Sequence, residues 1–126
     1  MLYFGTKLLK KNGIYQIIFP KNVVILTDTF CGSSGESFVQ IARLSPKVTL
    51  LGRNTLGCYD YSNVAYQHFE SINCTLQYPT SRNTALDKGM GIDLTGIVPD
   101  IVVEWTPEHL TTDVDVNQAL WYLSGK

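Results

Sequence analysis

Val23-Val24-Ile25-Leu26-Thr27-Asp28-Thr29-Phe30-Cys31-Gly32-Ser33-Ser34-Gly35-Glu36-Ser37-Phe38-Val39 is the stretch that decides how this chain folds. The apolar run Val23 to Thr27 reads as a strand buried on both faces. Cys31 to Glu36 is a tight polar turn. From Ser34 to about Leu44 the spacing becomes helical and stops ahead of Pro46. The apolar positions Phe38, Ile41, Ala42 and Leu44 share the face that an amphipathic helix turns toward a core. A second buried strand, Val48 to Leu51, ends at Gly52. Strand, helix and strand at this spacing make a βαβ unit with a parallel pair.

The turn supports two readings. Ser33-x-x-Glu36 is a capping box, in which hydroxyl and carboxylate satisfy backbone donors reciprocally. A serine at a helix N-terminus also lies where unpaired N–H groups and the helix dipole favour negative charge. A tetrahedral oxyanion is such a charge, so Ser33 or Ser34 suits the role of acyl-transfer nucleophile.

Composition narrows the rest. The 126 residues fit one domain, 1–126, with one hydrophobic core. A net charge of −1, with no basic run beyond Lys10-Lys11, gives no reason to expect nucleic-acid binding. Leu2 to Leu9 is broken by Gly5, Thr6 and Lys7 and does not read as a signal peptide. No apolar run approaches the roughly 20 residues that span a bilayer, so a soluble chain without a membrane span is expected. Cys31, Cys58 and Cys74 are an odd number without metal-type spacing. They are expected as buried thiols, with no metal and no cofactor.

Elsewhere, Tyr3 to Leu9 and Ile14 to Phe19 are β-prone runs around an Asn12-Gly13 turn. Asn63 to Phe69 and Asn73 to Tyr78 read as a tyrosine-rich hairpin, and Thr80 to Gly91 as loop. Gly96-Ile97-Val98-Pro99-Asp100 leads into a strand, Ile101 to Val103. Thr106 to Thr112 reads as a linker. Asp113 or Asp115 caps a last helix, Val116 to about Leu123, with Ala119, Leu120 and Leu123 inward.

Three motifs in order resemble the catalytic core of the carboxyl-terminal-processing (tail-specific) serine proteases. The first is the strand and turn ending in Ser33-Ser34-Gly35-Glu36. The second is Gly52-Arg53-Asn54-Thr55-Leu56-Gly57. The third is Asp93-Leu94-Thr95-Gly96-Ile97-Val98-Pro99-Asp100. The resemblance covers about residues 20 to 105. It implies an α/β fold: a crotonase-like spiral βαβ core with a mixed sheet, an inserted β-hairpin and a C-terminal helix. It implies a serine endopeptidase acting on peptide or protein substrates, with Ser33 as nucleophile and the Ser34 N–H as one oxyanion donor. Cys31, Gly32, Glu36, Gly57 and Cys58 would flank that site. The family is often exported or envelope-associated.

The tail-specific branch places a lysine base where this chain has Cys58. A neutral thiol is a poor substitute, which excludes a Ser–Lys mechanism. The tricorn-like branch instead uses a histidine from an earlier segment and an acidic residue, here Asp93. No histidine precedes Ser33; His68 and His109 both follow it. The resemblance therefore implies a C-terminal catalytic-core fragment of a longer protease, inactive alone, whose base lies outside this chain. Self-association through the surface that upstream regions would cover is expected. The alternative is a non-catalytic relative that binds peptides or a partner protein by adding a strand to a sheet edge. A third reading makes Cys58 the reactive group. Asp100 reads as a turn residue, Arg82 as a surface ion-pair partner, and Tyr59, Tyr61, Tyr66 and Tyr78 as hairpin packing. Asn54 and Thr55 are expected to hold the second turn beside Ser33 by side-chain-to-backbone bonds.

Overall fold

A computed structural model describes residues 8–11, 14–17 and 20–125. The core is a three-stranded sheet of β3 (Val23–Thr27), β4 (Val48–Gly52) and β7 (Ile101–Val102), in the order β3-β4-β7. Val23 pairs with Val48 and Thr27 with Gly52; Leu51 pairs with Ile101. Both pairings are parallel. The central strand β4 is apolar on both faces because both are covered. Leu50 packs with Val39 and Ile97, and Leu51, pointing the other way, is equally buried.

The expected mixed sheet does not form among the described residues. Antiparallel pairing is confined to two separate ribbons: β1 (Leu8–Lys11) with β2 (Ile14–Ile17), and β5 (Tyr61–Phe69) with β6 (Cys74–Arg82). The chain between β4 and β7 makes a long excursion through the second ribbon, and so re-enters the core sheet in the parallel sense. The Asn12-Gly13 turn and Tyr3 to Lys7 lie outside the described residues. The β5–β6 hairpin runs farther than its apolar residues suggested. Its strands reach Arg82, and Thr84–Lys88 forms a 3-10 helix rather than loop, capped by Asn83 Oδ1 accepting from Ala85 N–H at 2.9 Å. The stretch read as a linker likewise contains a 3-10 turn, Pro107–Leu110.

Helix α1 (Ser34–Ala42) buries Glu36 and Val39, not the face expected. Phe38, Ile41 and Leu44 are 61%, 67% and 84% exposed. The cause is Glu36. Its carboxylate is drawn into the turns beside the sheet, and residues three or four apart share a helix face, so Val39 follows it inward. Helix α2 (Val114–Leu123) is capped by Asp113, whose Oδ1 accepts from Val116 N–H at 3.0 Å. It packs on β3 and β4, and Tyr122 Oη and Thr49 Oγ1 lie 3.2 Å apart. Ala119 is buried, whereas Leu120 and Leu123 are exposed, so only one of the three positions expected to face inward does so. No helix among the described residues is long and apolar enough to cross a membrane.

The third motif is a structural clamp. Asp100 Oδ2 accepts from Leu50 N–H at 2.8 Å, and its Oδ1 meets Arg43 at the C-terminal cap of α1. Asp100 thus ties the last strand's entry to β4 and to the helix, as a turn residue should. Arg82 and Asp87 form the surface ion pair at 2.7 Å.

Candidate active site

Ser33 stands where the loop after β3 becomes α1. Its backbone has φ 53° and ψ −115°, in the positive-φ region that side chains rarely adopt. Such strain costs roughly 1–3 kcal/mol and persists only where neighbours over-determine it. Here the neighbour is Glu36. Ser33 N–H donates to Glu36 Oε2 at 3.0 Å, closing that half of the capping box. The Ser33 hydroxyl faces the other half of the box but makes no capping hydrogen bond. Ser33 and Ser34 are both exposed. The Ser34 N–H, first in the helix, has no acceptor among the described residues.

Glu36 does far more than cap. Its side chain is fully buried. Besides Ser33 N–H, it accepts from Thr55 Oγ1 at 2.6 Å, Gly57 N–H at 2.7 Å and Cys58 N–H at 3.0 Å. Burial alone would raise its pKa. The Thr55 hydroxyl and the three backbone donors outweigh burial and hold it below the usual glutamate value. Ser33 and Cys58 amides share one oxygen, so the turn before α1 and the end of the second motif are welded side by side. Thr55 Oγ1 then accepts from Ile97 N–H at 2.7 Å, joining the third motif.

The second and third turns meet backbone to backbone. Gly57 (φ +74°) and Gly96 (φ +69°) face each other, and a Cβ on Gly57 would lie 2.7 Å from Gly96 N. Only glycine allows that approach. Below them two aspartates bond reciprocally. Asp93 Oδ1 accepts from the Tyr59 and Asp60 amides, both at 2.8 Å. Asp60 Oδ2 accepts from the Ile92 and Asp93 amides at 2.7 and 2.8 Å. Asp60 Oδ1 is buried without a partner. Asp93 Oδ2 makes no hydrogen bond among the described residues.

Compared with models of known families, residues 5–103 match the one described as peptidase family S41. The chain belongs to peptidase family S41. No curated protein matches it. A crystal structure of a candidate peptidase from Parabacteroides merdae is similar, with TM-score 0.63 and 21% identity over 87% of this chain and 36% of that one. The tricorn protease is similar at TM-score 0.61 and 20% identity, over 93% of this chain and 12% of that one. This S41 chain therefore spans about a third of the first and an eighth of the second.

In this S41 chain the Cys58 thiol adjoins the residue before Ser33, since a Cβ on Gly32 would lie 2.8 Å from its Sγ. Cys31 Sγ lies across the turn, where a Cβ on Gly35 would come within 3.1 Å of it. Burial, then the charges of Glu36 and Asp28, pushes the Cys31 thiol pKa up, so it stays protonated. All three cysteines are free; Cys58 and Cys74 are exposed and Cys31 half-buried, against the expectation of buried thiols. Cys58 is held by its amide, which donates to Glu36, while its side chain stays exposed. Cys74 begins a solvated strand.

Both histidines are engaged elsewhere. His68 Nδ1 is 2.9 Å from Thr75 Oγ1 across the hairpin. His109 stacks on Trp105 and lies 3.5 Å from Asp115, which pairs in bidentate fashion with Arg53. Tyr59 donates to Ser37 Oγ at 3.3 Å, whereas Tyr61, Tyr66 and Tyr78 are exposed. Asn54 Nδ2 donates to Thr95 O at 3.2 Å, bracing the third motif. A cleft of about 730 Å³ opens at the carboxyl ends of β3 and β4, lined by Asp28, Phe30, Arg53, Trp105, His109 and Asp115 among others. A second, of about 320 Å³, shares Asp28, Phe30 and Asp115 with it and reaches Cys31. Open parallel sheets bind ligands at this end of their strands.

Sequence reading missed Thr55 as a relay, Asp60 as the mate of Asp93, and the full reach of Glu36. Each acts on partners some 20 to 40 residues away, which no local motif displays.

Proposed function

We propose that the chain is the catalytic core of a serine endopeptidase of the tricorn-like branch, part of a longer protein that supplies the base. Ser33 Oγ attacks the scissile carbonyl carbon. Its proton passes to a histidine brought by another part of the polypeptide, and the Ser34 N–H takes one share of the oxyanion. The histidine then protonates the leaving amine, and water releases the acyl group from Ser33. Asp93 Oδ2, without a partner of its own, orients the histidine. The observation that carries this reading is the strained, exposed Ser33, pinned through its amide by a buried carboxylate. A serine at a sharp strand-to-helix turn is the arrangement that presents a nucleophile. The short span against its structural neighbours and the uncovered Phe38 and Ile41 of α1, with Leu44 just beyond it, support the view that other regions complete the protein.

The test is labelling of the full-length protein with a serine-directed phosphonate. Wild type is expected to label and Ser33→Ala to lose the label; equal labelling removes Ser33 from the mechanism. Asp93→Asn keeps a carbonyl oxygen for the Tyr59 and Asp60 amides, so the fold should survive. Turnover should nevertheless fall by roughly 10²- to 10⁴-fold, because the amide cannot hold the histidine tautomer. Unchanged turnover would leave Asp93 a purely structural residue. Cys58 in the lysine position, with both histidines committed elsewhere, favours a second reading, a non-catalytic peptide-binding relative. That reading predicts no phosphonate labelling of wild type at all.

A further inference from the structure

The β5–β6 hairpin is two strands wide, and residues on both of its faces are solvent-exposed. A two-stranded ribbon is marginal in water; a third strand or a packed face is what normally holds one. Its two outer edges differ. The edge of β6 is interrupted by Pro79, which has no N–H to offer, and ends in Arg82. The edge of β5 has neither device; its one irregularity is Asn63, at φ 56°. Tyr61-Ser62-Asn63-Val64-Ala65-Tyr66-Gln67-His68-Phe69 contains no proline and no Lys, Arg, Asp or Glu. Exposed edges of this kind are templates for another strand unless charge or proline blocks them.

The sequence of β5 also says which strand fits. An edge pairing antiparallel with a copy of itself about a two-fold axis needs outward-facing residues opposite outward-facing residues. Because outward and inward residues alternate, the axis must pass through a residue. Placed through Ala65, it sets Tyr61 against Phe69, Ser62 against His68 and Val64 against Tyr66, with Asn63, off the extended region, across from Gln67. Aromatic meets aromatic, polar meets polar, and a β-branched residue meets an aromatic one. These are favourable cross-strand pairs, with no like charges opposed.

We propose that two copies of this chain join β5 to β5 about Ala65, forming a continuous four-stranded antiparallel sheet. The contact is isologous, each copy giving and receiving the same bonds. The open edges are then the β6 strands, the ones carrying Pro79.

Sedimentation of the chain tests this. Wild type is expected at twice the chain mass. Val64→Glu with Tyr66→Glu places like charges opposite each other twice and should give the single-chain mass. Val64 and Tyr66 are both more than half exposed, so the hairpin loses little packing. Val64→Lys with Tyr66→Glu sets opposite charges across the axis and should restore the double mass. Thr75→Glu with Gln77→Glu, on β6, should leave the double mass intact. A wild-type chain that sediments singly at its highest attainable concentration overturns the proposal. So does a doubly glutamate-substituted β5 that stays paired, or a Lys/Glu variant that stays single with its strand signal intact by circular dichroism.

Discussion

Glu36→Ala is expected to lower stability by about 4 kcal/mol, a large part of the 5–15 kcal/mol typical of a domain this size. The carboxylate serves four donors. Ser33 and Cys58 are exposed, so their amides can turn to water when it goes. Thr55 and Gly57 are buried, and each donor left unmet there costs roughly 1–3 kcal/mol. Glu36→Gln should fall between, because one of its two faces must present an NH₂ to two donors. The pH dependence has a definite sign. The folded pKa of Glu36 lies below its ordinary value, so its contribution is present above the unfolded carboxylate range and is lost as pH falls through the folded value. Urea unfolding from pH 7 downward should show a steeper acid limb for wild type than for Glu36→Gln. Parallel curves would mean that the carboxylate charge contributes nothing.

Gly96→Ala should be nearly as damaging, for a different reason. A Cβ there would sit 2.1 Å from Thr55 O, on backbone that cannot swing aside. Thr55 is buried and already bonded to Glu36 and to the Ile97 amide. Separating the two turns of this knot should cost about 3 kcal/mol or more. Gly89→Ala is the matched control. Its φ of +67° is almost that of Gly96 at +69°, but nothing lies within 4 Å of its added Cβ. It should lose only the left-handed penalty, about 1 kcal/mol. Equal losses at the two positions would show that backbone conformation alone, not the collision, sets the effect.

How far the residues announced this arrangement depends on the range of each interaction. The passage from Val23 to Ala42 was legible, because the apolar pattern changes period at a turn with helix-starting chemistry. The orientation of α1 was not. Phe38, Ile41 and Leu44 define the apolar stripe, yet one buried carboxylate rotated the helix away from it. Ser33-x-x-Glu36 was legible as a cap, but a cap accounts for one of four bonds. The hairpin was visible in its β-branched and aromatic residues, whereas its extension to Arg82 rests on pairing with Tyr61, which only the register supplies. The parallel entry of β7 could not be read from two residues, Ile101 and Val102. The place of Asp93 in a motif is local; its hold on the Tyr59 and Asp60 amides has no local sign.

The bonds converging on Glu36 and Thr55 also govern how the molecule breathes. Amide deuterium uptake at Ser33, Gly57, Cys58 and Ile97 should proceed at one common rate, set by a single cooperative opening, although Ser33 lies on the surface. The turn that carries Ser33 is then no looser than the interior. Any larger motion around that turn must come from segments that move over this rigid floor.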